Sequence, residues 1–438
     1  MAVAARLTGH GGDDIQTATD RGLNMADEAV ETPEDRSAGS PGEVFRAFLK
    51  LGLISFGGPI AHLGYFRAEL VERRRWIDDE GYADLVALCQ FLPGPASSQL
   101  GFALGLIRGG GFLGGLAAWA GFTLPSALLL AALALLSSYM GVTALTGGVI
   151  GGILHGLKLV AVAVVAQAVW GMARTLTPDQ PRAGIALSAI VMVTLAAGSF
   201  GQVAAIIMGA MAGLFLCRDE GATATAAASH LPVPLKRRTG AILLAIFALL
   251  LVLPPLFKAA SPYIGVFDSF YRSGALVFGG GHVVLPLLQA EVVTTGWVLP
   301  SQFLAGYGLA QAVPGPLFTF AAWLGAVMAP PAGGVTGAAV ALVAVFLPGL
   351  LLVTGTLPFW STLRGMPLAQ AAMRGANAAV VGILGAALYT PVFTGAVLRP
   401  MDFAAAVTGF LLLTVWKVPP LAVVVVLAVL GPFLTGLY

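Results

Sequence analysis

The sequence predicts an all-α, polytopic membrane protein made of two copies of one repeat set in opposite orientations. Three observations predict it. The 438 residues are 58% hydrophobic and only 10% charged, whereas soluble chains carry about 25% charged residues. The apolar residues fall into successive runs of about 20, the length that spans a bilayer as helix. And a pattern built on Phe-Gly-Gly and Pro-Gly-Pro occurs twice. Abundant glycine (57) and proline (27) fit the same class, because packed neighbouring helices re-satisfy the backbone groups that such residues free.

The runs lie near 45–66, 82–107, 112–138, 144–173, 183–199, 201–217, 240–257, 267–291, 302–328, 334–356, 366–392, 402–417 and 419–437. Counted as crossings they give about thirteen transmembrane segments. The organisation expected is a mobile cytoplasmic tail over 1–43, a first repeat over 44–217, a cytoplasmic linker over 218–239, a linking transmembrane helix over 240–258 and a second repeat over 259–438. No apolar stretch in the first forty residues reads as a signal peptide. Lysine and arginine in short loops set orientation. Arg108, Arg174, Arg182, Arg218, Lys236, Arg237, Arg238, Arg364 and Lys417 share one side with the tail, which predicts a cytoplasmic N-terminus. Arg67 and the run Arg73–Arg75 fall on the wrong side if 45–66 crosses, and on the right side if that segment turns back at its glycines.

The repeat is gapless over its first 25 residues. Phe45, Phe48, Gly52, Phe56, Gly57, Gly58, Leu63, Ala68 and Glu69 match Phe267, Phe270, Gly274, Phe278, Gly279, Gly280, Leu285, Ala290 and Glu291. One deleted residue later, Trp76 matches Trp297, then Gln90, Pro93, Gly94 and Pro95 match Gln311, Pro314, Gly315 and Pro316; Leu124-Pro125 recurs as Leu347-Pro348. An odd number of crossings before the second copy, six plus the link, inverts it. Inverted repeats put a substrate site near the midplane where the copies meet.

Each Pro-Gly-Pro must break its span, since proline lacks a backbone donor and clashes with the preceding turn. The half-helix after the break exposes N–H groups that hold anions, decorated by Ser97, Ser98 and Gln99 in the first copy and by Thr319 in the second. The Phe-Gly-Gly segments suit a tight turn or a backbone nest for an oxyanion, or close helix packing. Lys50 and Arg272 occupy equivalent positions, and a cation kept inside a span is a functional candidate, though either could snorkel to an interface. His62 and His282 follow the glycines and are candidates for proton coupling. His155 and Lys158 align with Arg374 and Asn377, each pair on one helical face. The candidate substrate-binding set is therefore Lys50, Arg272, Gly57, Gly58, Gly279, Gly280, Gln90, Gln311, Pro93, Gly94, Pro314, Gly315, Ser97, Ser98, Thr319, Arg374 and Asn377. There is no phosphate-binding loop, zinc-protease motif or nucleophile elbow, and Cys89 and Cys217 form no metal or disulfide pattern. An enzyme, a cofactor and a metal are not expected, and a net charge of +2 gives no nucleic-acid footprint.

The paired pattern F-x-x-F-x-x-x-G-x-x-x-F-G-G, then tryptophan and, after a fixed spacing, Q-x-x-P-G-P, resembles the chromate ion transporter family in its long, two-repeat form, and the resemblance runs from Phe45 to the end of the chain. It implies secondary transport of chromate out of the cytoplasm, across the inner membrane of a bacterium, driven by protons or the membrane potential, and resistance to chromate. The residues alone imply a secondary transporter of an anion, with protons and the lipid bilayer as further partners and room for a homodimer. Sulfate, a tetrahedral dianion like chromate, is the alternative substrate. The second copy departs from the first where Gly281 replaces Pro59 and where the arginine run is missing.

Overall fold

A computed structural model describes residues 39–140, 148–196, 198–218, 235–278 and 281–436. Most of the tail expected over 1–43, most of the linker over 218–239, and Gly279 and Gly280 lie outside the described residues. The described chain is helical without strands, and it belongs to one unit that begins at Gly39.

The first repeat starts with α1 (Pro41–Ile54), capped by the Ser40 hydroxyl, and α2 (Gly58–Phe66), which continues as a π-helical stretch over Arg67–Arg73. α3 (Asp79–Phe91) and α4 (Ala96–Arg108) follow. The long α5 (Phe112–Met140) and α6 (Gly148–Leu176) come next, then the shorter α7 (Gln180–Leu195) and α8 (Ser199–Leu216). α9 (Arg237–Val252), prolonged by a bent 3-10 turn over Pro254–Ala260, links the halves. The second repeat gives α10 (Pro262–Ala275), α11 (Val284–Val292), α12 (Pro300–Ala312), α13 (Phe320–Val327), α14 (Gly334–Thr356), α15 (Pro367–Ala387), α16 (Pro400–Thr414) and α17 (Pro420–Gly436).

The principal correction to the sequence reading concerns what the broken segments do. Lys50 and Glu69 are 19 residues apart, which a straight helix would stretch to about 28 Å. Their side chains are 2.7 Å apart. The chain therefore doubles back at Phe56-Gly57, and α1 and α2 form a hairpin. The equivalent pair, Arg272 and Glu291, lies 3.8 Å apart across the break between α10 and α11. The Pro-Gly-Pro segments double back as well. Asp79 at the start of α3 pairs with Arg67 at 2.7 Å, while Arg108 at the end of α4 stacks over Trp76 at 5.6 Å and reaches Glu43 at 3.3 Å. Trp323 of α13 donates to the Gln302 carbonyl of α12 at 3.1 Å. Segment 45–66, which the sequence allows either to cross or to turn back, and the segments expected to cross at 82–107, 267–291 and 302–328 are thus helical hairpins that enter and leave on one face.

Among the described residues four helices, α5, α6, and α14 and α15 with their extensions, are long and apolar enough to cross a membrane, and the bent α9 segment makes a fifth. The pairs α7–α8 and α16–α17 are shorter apolar helices, and each pair returns to the face from which it starts. We call the face at which α1 begins the N-face and the face at which α17 ends the C-face. The first two hairpins open on the N-face and the last two on the C-face, so the repeats are inverted. The arginine run Arg73–Arg75 now joins Arg67, Arg108, Arg174, Arg182, Arg218, Lys236, Arg237, Arg238 and Arg364 at the N-face; Lys258 and Arg399 lie at the C-face.

Small residues allow the close contacts. α1 crosses α5 where a Cβ on Gly52 or Gly121 would meet the opposite backbone at 2.7 Å, and α8 meets α15 at Gly209, Gly213 and Gly375. Such approaches drive helix association where lipid removes the hydrophobic contrast.

Candidate functional site

The tips of the four hairpins meet midway between the faces, and they brace one another across the two repeats. Gly94, in the first Pro-Gly-Pro, donates its N–H to the Val277 carbonyl at 2.7 Å; Gly315, in the second, donates to the Ser55 carbonyl at 2.9 Å. Ser55 and Val277 are equivalent, each preceding the phenylalanine of its Phe-Gly-Gly, so the two bonds are related by the internal two-fold. Gly94 and Gly315 take φ +125° and +102°, conformations that disfavour any side chain. A Cβ on Gly94 would lie 3.1 Å from Gly349 Cα, and one on Gly315 would lie 2.9 Å from the Ser126 hydroxyl. Pro125 in α5 and Pro348 in α14, the repeated Leu-Pro, are next in sequence to Ser126 and Gly349, where the other repeat's tip makes these contacts.

Each tip joins a helix end to a helix start: α1, α3, α10 and α12 end at the tips. α2, α4 and α11 each begin at a tip and run outward, and so does α13 after its 3-10 turn at Leu317–Thr319. None of these starts carries a side-chain cap. A helix start leaves its first N–H groups unbonded, with about half a positive charge. Four such starts converge here. Nearby polar atoms are left unpaired: the hydroxyls of Ser55, Ser98 and Thr123, the Gln311 amide nitrogen and His62 Nε2 are buried without a hydrogen-bond partner. Buried polar atoms are seldom left so. The small cleft between Gly57, Gly58, His282, Gln311 and Gly315 has about 20 Å³ of space and no acidic lining residue, room for one water.

The sequence-derived candidates divide. Gly57, Gly58, Gly94, Gly315, Pro93, Pro314, Ser97, Ser98, Gln311, His62 and His282 are at or beside the tips. His62 Nδ1 is 3.3 Å from the Ser97 hydroxyl, and His282 Nδ1 is 2.8 Å from the Tyr307 hydroxyl. Thr319 is there too, but its hydroxyl donates to the Pro316 carbonyl at 2.8 Å. Gln90 is exposed and does not line the cleft. Lys50 and Arg272 sit in the hairpin arms, each with carboxylates: Lys50 on Glu69, which also takes Arg73 and Arg74, and Arg272 on Asp268 and Glu291, with Lys258 on Asp268 at 2.6 Å. They neutralise buried carboxylates instead of facing the tips as free countercharge. Arg374 donates to the Cys217 carbonyl at the N-face, and Asn377 lies one turn further in. Sequence reasoning missed Ser55, Thr123 and Tyr307. The available signals were Ser55's place before Phe-Gly-Gly, Thr123's before Leu-Pro, and Tyr307 one helical turn before Gln311.

The two faces differ at equivalent positions of the repeats. On the N-face, Asp84 of α3 accepts from Arg364 at 2.7 Å and from the Trp360 indole at 2.9 Å, with Phe91 against Trp360 at 5.7 Å. In the register that pairs Gln90 with Gln311, Asp84 corresponds to Ala305. In the register that pairs Pro125 with Pro348, Trp360 corresponds to Ser137. Ala305 and Ser137 both line a cavity of about 670 Å³ at the C-face.

The sequence model of a family described as "Chromate transporter" matches residues 42–214 and again 264–432. A chromate transport protein of Pseudomonas aeruginosa is 31% identical over 78% of this chain and 79% of its own length. One of Cupriavidus metallidurans is 29% identical over 88% and 90%. An uncharacterised transporter of Methanocaldococcus jannaschii is 25% identical over 76% and 79%. No solved structure matches the chain.

Proposed function

Since the chain belongs to the chromate transporter family, we propose that it carries chromate across the membrane by alternating access of its two inverted repeats. The ion binds where the four hairpin tips meet. The observation that carries this reading is the convergence of uncapped helix starts with unpaired hydroxyl and amide groups in a cleft without an acidic lining residue, an arrangement that suits a tetrahedral dianion. The cleft between the tips is smaller than such an ion, so binding requires the tips to part, which means breaking the Gly94–Val277 and Gly315–Ser55 braces. The same bonds therefore couple occupancy to movement of one repeat against the other.

The cationic N-face is cytoplasmic by the positive-inside rule, in the inner membrane of a bacterium. On this assignment the Asp84–Trp360–Arg364 contact closes the cytoplasmic mouth and the cavity opens outward. Export follows the membrane potential, which favours expelling anions by about 2.3 kcal/mol per charge per 100 mV, and export gives chromate resistance. Where protons are coupled, His62 and His282 are the groups placed to carry them. The residues offer transport and no group for bond chemistry. The test is chromate uptake into inverted membrane vesicles, with sulfate as competitor. The expected result is chromate accumulation that depends on the potential and withstands excess sulfate; uptake no greater than in vesicles without the protein would overturn the proposal.

A further inference from the structure

The cavity at the C-face has a composition that the tip site does not use. It lies between α6, the α12–α13 hairpin, α16 and α17, and it is lined by Lys158, His155, Arg399 and Asp402 together with Gln302 and Trp323. Its one carboxylate is already engaged. Asp402 Oδ1 is 2.7 Å from His155 Nε2, and Asp402 Oδ2 accepts from the backbone N–H groups of Leu398 and Arg399 at 3.1 Å each. Lys158 stands one turn along α6 from His155 and projects into the same space. It is half-buried, and among the described residues it has no carboxylate within ion-pair distance. A cation kept in a membrane helix with no counterion among the described residues, beside a roomy cavity that also presents Arg399 and Gln302, implies an anion that visits it.

We propose that this cavity is a second anion site, at which Lys158 binds a tetrahedral oxyanion group separate from the one held at the tips. Arg399 adds positive charge at the rim, and the His155–Asp402 pair fixes the α16 start that forms one wall. The volume of about 670 Å³ exceeds a bare dianion, so the group enters hydrated or attached to a larger body. The chemistry fits two sources, a free dianion such as sulfate or chromate and the phosphate of a lipid headgroup. The site does not depend on the tips carrying the transported ion, and its test does not use transport.

The test places a reporter at the cavity rim. Ser301 lines the cavity and is exposed, so Ser301→Cys, in a background with Cys89 and Cys217 replaced, is labelled with a membrane-impermeant maleimide in nanodiscs. In one arm the discs are pure phosphatidylcholine and sulfate is titrated; in the other, phosphatidylglycerol replaces part of the lipid and sulfate is absent. Slower labelling in the first arm identifies a free dianion, and in the second a headgroup; either supports the site. In both, Lys158→Gln raises the half-protecting concentration about tenfold, the loss expected for one charge-assisted hydrogen bond, and Lys158→Arg restores it. Labelling of Ser301→Cys in the Lys158→Gln protein at the unprotected rate shows that the fold persists. No protection in either arm, or protection equal in Lys158→Gln, overturns the proposal.

Discussion

The two mouths of this fold are made from equivalent positions of one repeat, yet one is latched and the other open. At the N-face a carboxylate, a guanidinium and an indole meet, with Asp84 2.7 Å from Arg364 and 2.9 Å from Trp360. At the C-face the corresponding Ala305 and Ser137 are small and border about 670 Å³ of space. The difference teaches that duplication preserved the tips while the mouths diverged. The tips keep paired backbone bonds, as the proposed ion site at their junction asks of both repeats. The mouths need not match, so one face gained a polar latch that its counterpart lacks.

Breaking the latch has the largest expected effect. Asp84→Ala removes the carboxylate that Arg364 and Trp360 share and costs about 2–3 kcal/mol, at or below the low end for breaking a buried pair since Arg364 is partly exposed. Labelling of a cysteine placed at Ser98 from the N-face is expected to rise several-fold, while labelling from the C-face falls. The tips come next, and there the repeats are expected to respond alike. Gly94→Ala and Gly315→Ala each impose strain of about 1–3 kcal/mol and each abolish most chromate transport, with similar drops in Tm. A large effect from one and none from the other would show that the braces are not equivalent. Filling the open mouth sharpens the contrast from the other side: Ala305→Trp occupies free space, leaves Tm within a few degrees, and is expected to stop most transport. The smallest effect belongs to Lys50→Gln. Lys50 is 41% exposed beside Glu69, so its loss costs at most about 1 kcal/mol, and chromate uptake by inverted vesicles stays within a few-fold of the parent.

Much of this was legible in the sequence. The gapless match from Phe45 to Glu69 gave the repeat, the linking segment near 240–257 gave its inversion, and the paired glycines and prolines gave the tips. What the sequence left open was whether the broken segments cross. A hydropathy run measures apolar length and is blind to a reversal halfway along it, so a hairpin of two short arms reads like one span. Two signals did point to the reversal. Lys50 and Glu69 recur as Arg272 and Glu291 at the same separation, which makes sense only if the arms lie side by side. The run Arg73–Arg75 broke the charge rule for a crossing segment and obeys it for a hairpin. The role of Lys50 and Arg272 was not legible, because Glu69 and Glu291 reach them from the neighbouring arm, although Asp268, four residues before Arg272, was a local signal. Nor was the latch, since Asp84 and Arg364 are 280 residues apart and belong to different repeats.

The central claim is that an oxyanion sits among the four hairpin tips, held by backbone N–H groups. Crystals of the purified protein grown with chromate test it most directly, through the anomalous signal of chromium. The account predicts a chromium peak between the starts of α2, α4, α11 and α13, within hydrogen-bonding reach of Ser98 and Gln311, with the Gly94–Val277 and Gly315–Ser55 bonds lengthened. A peak beside Lys50 or Arg272 with the tips empty and still braced would contradict it.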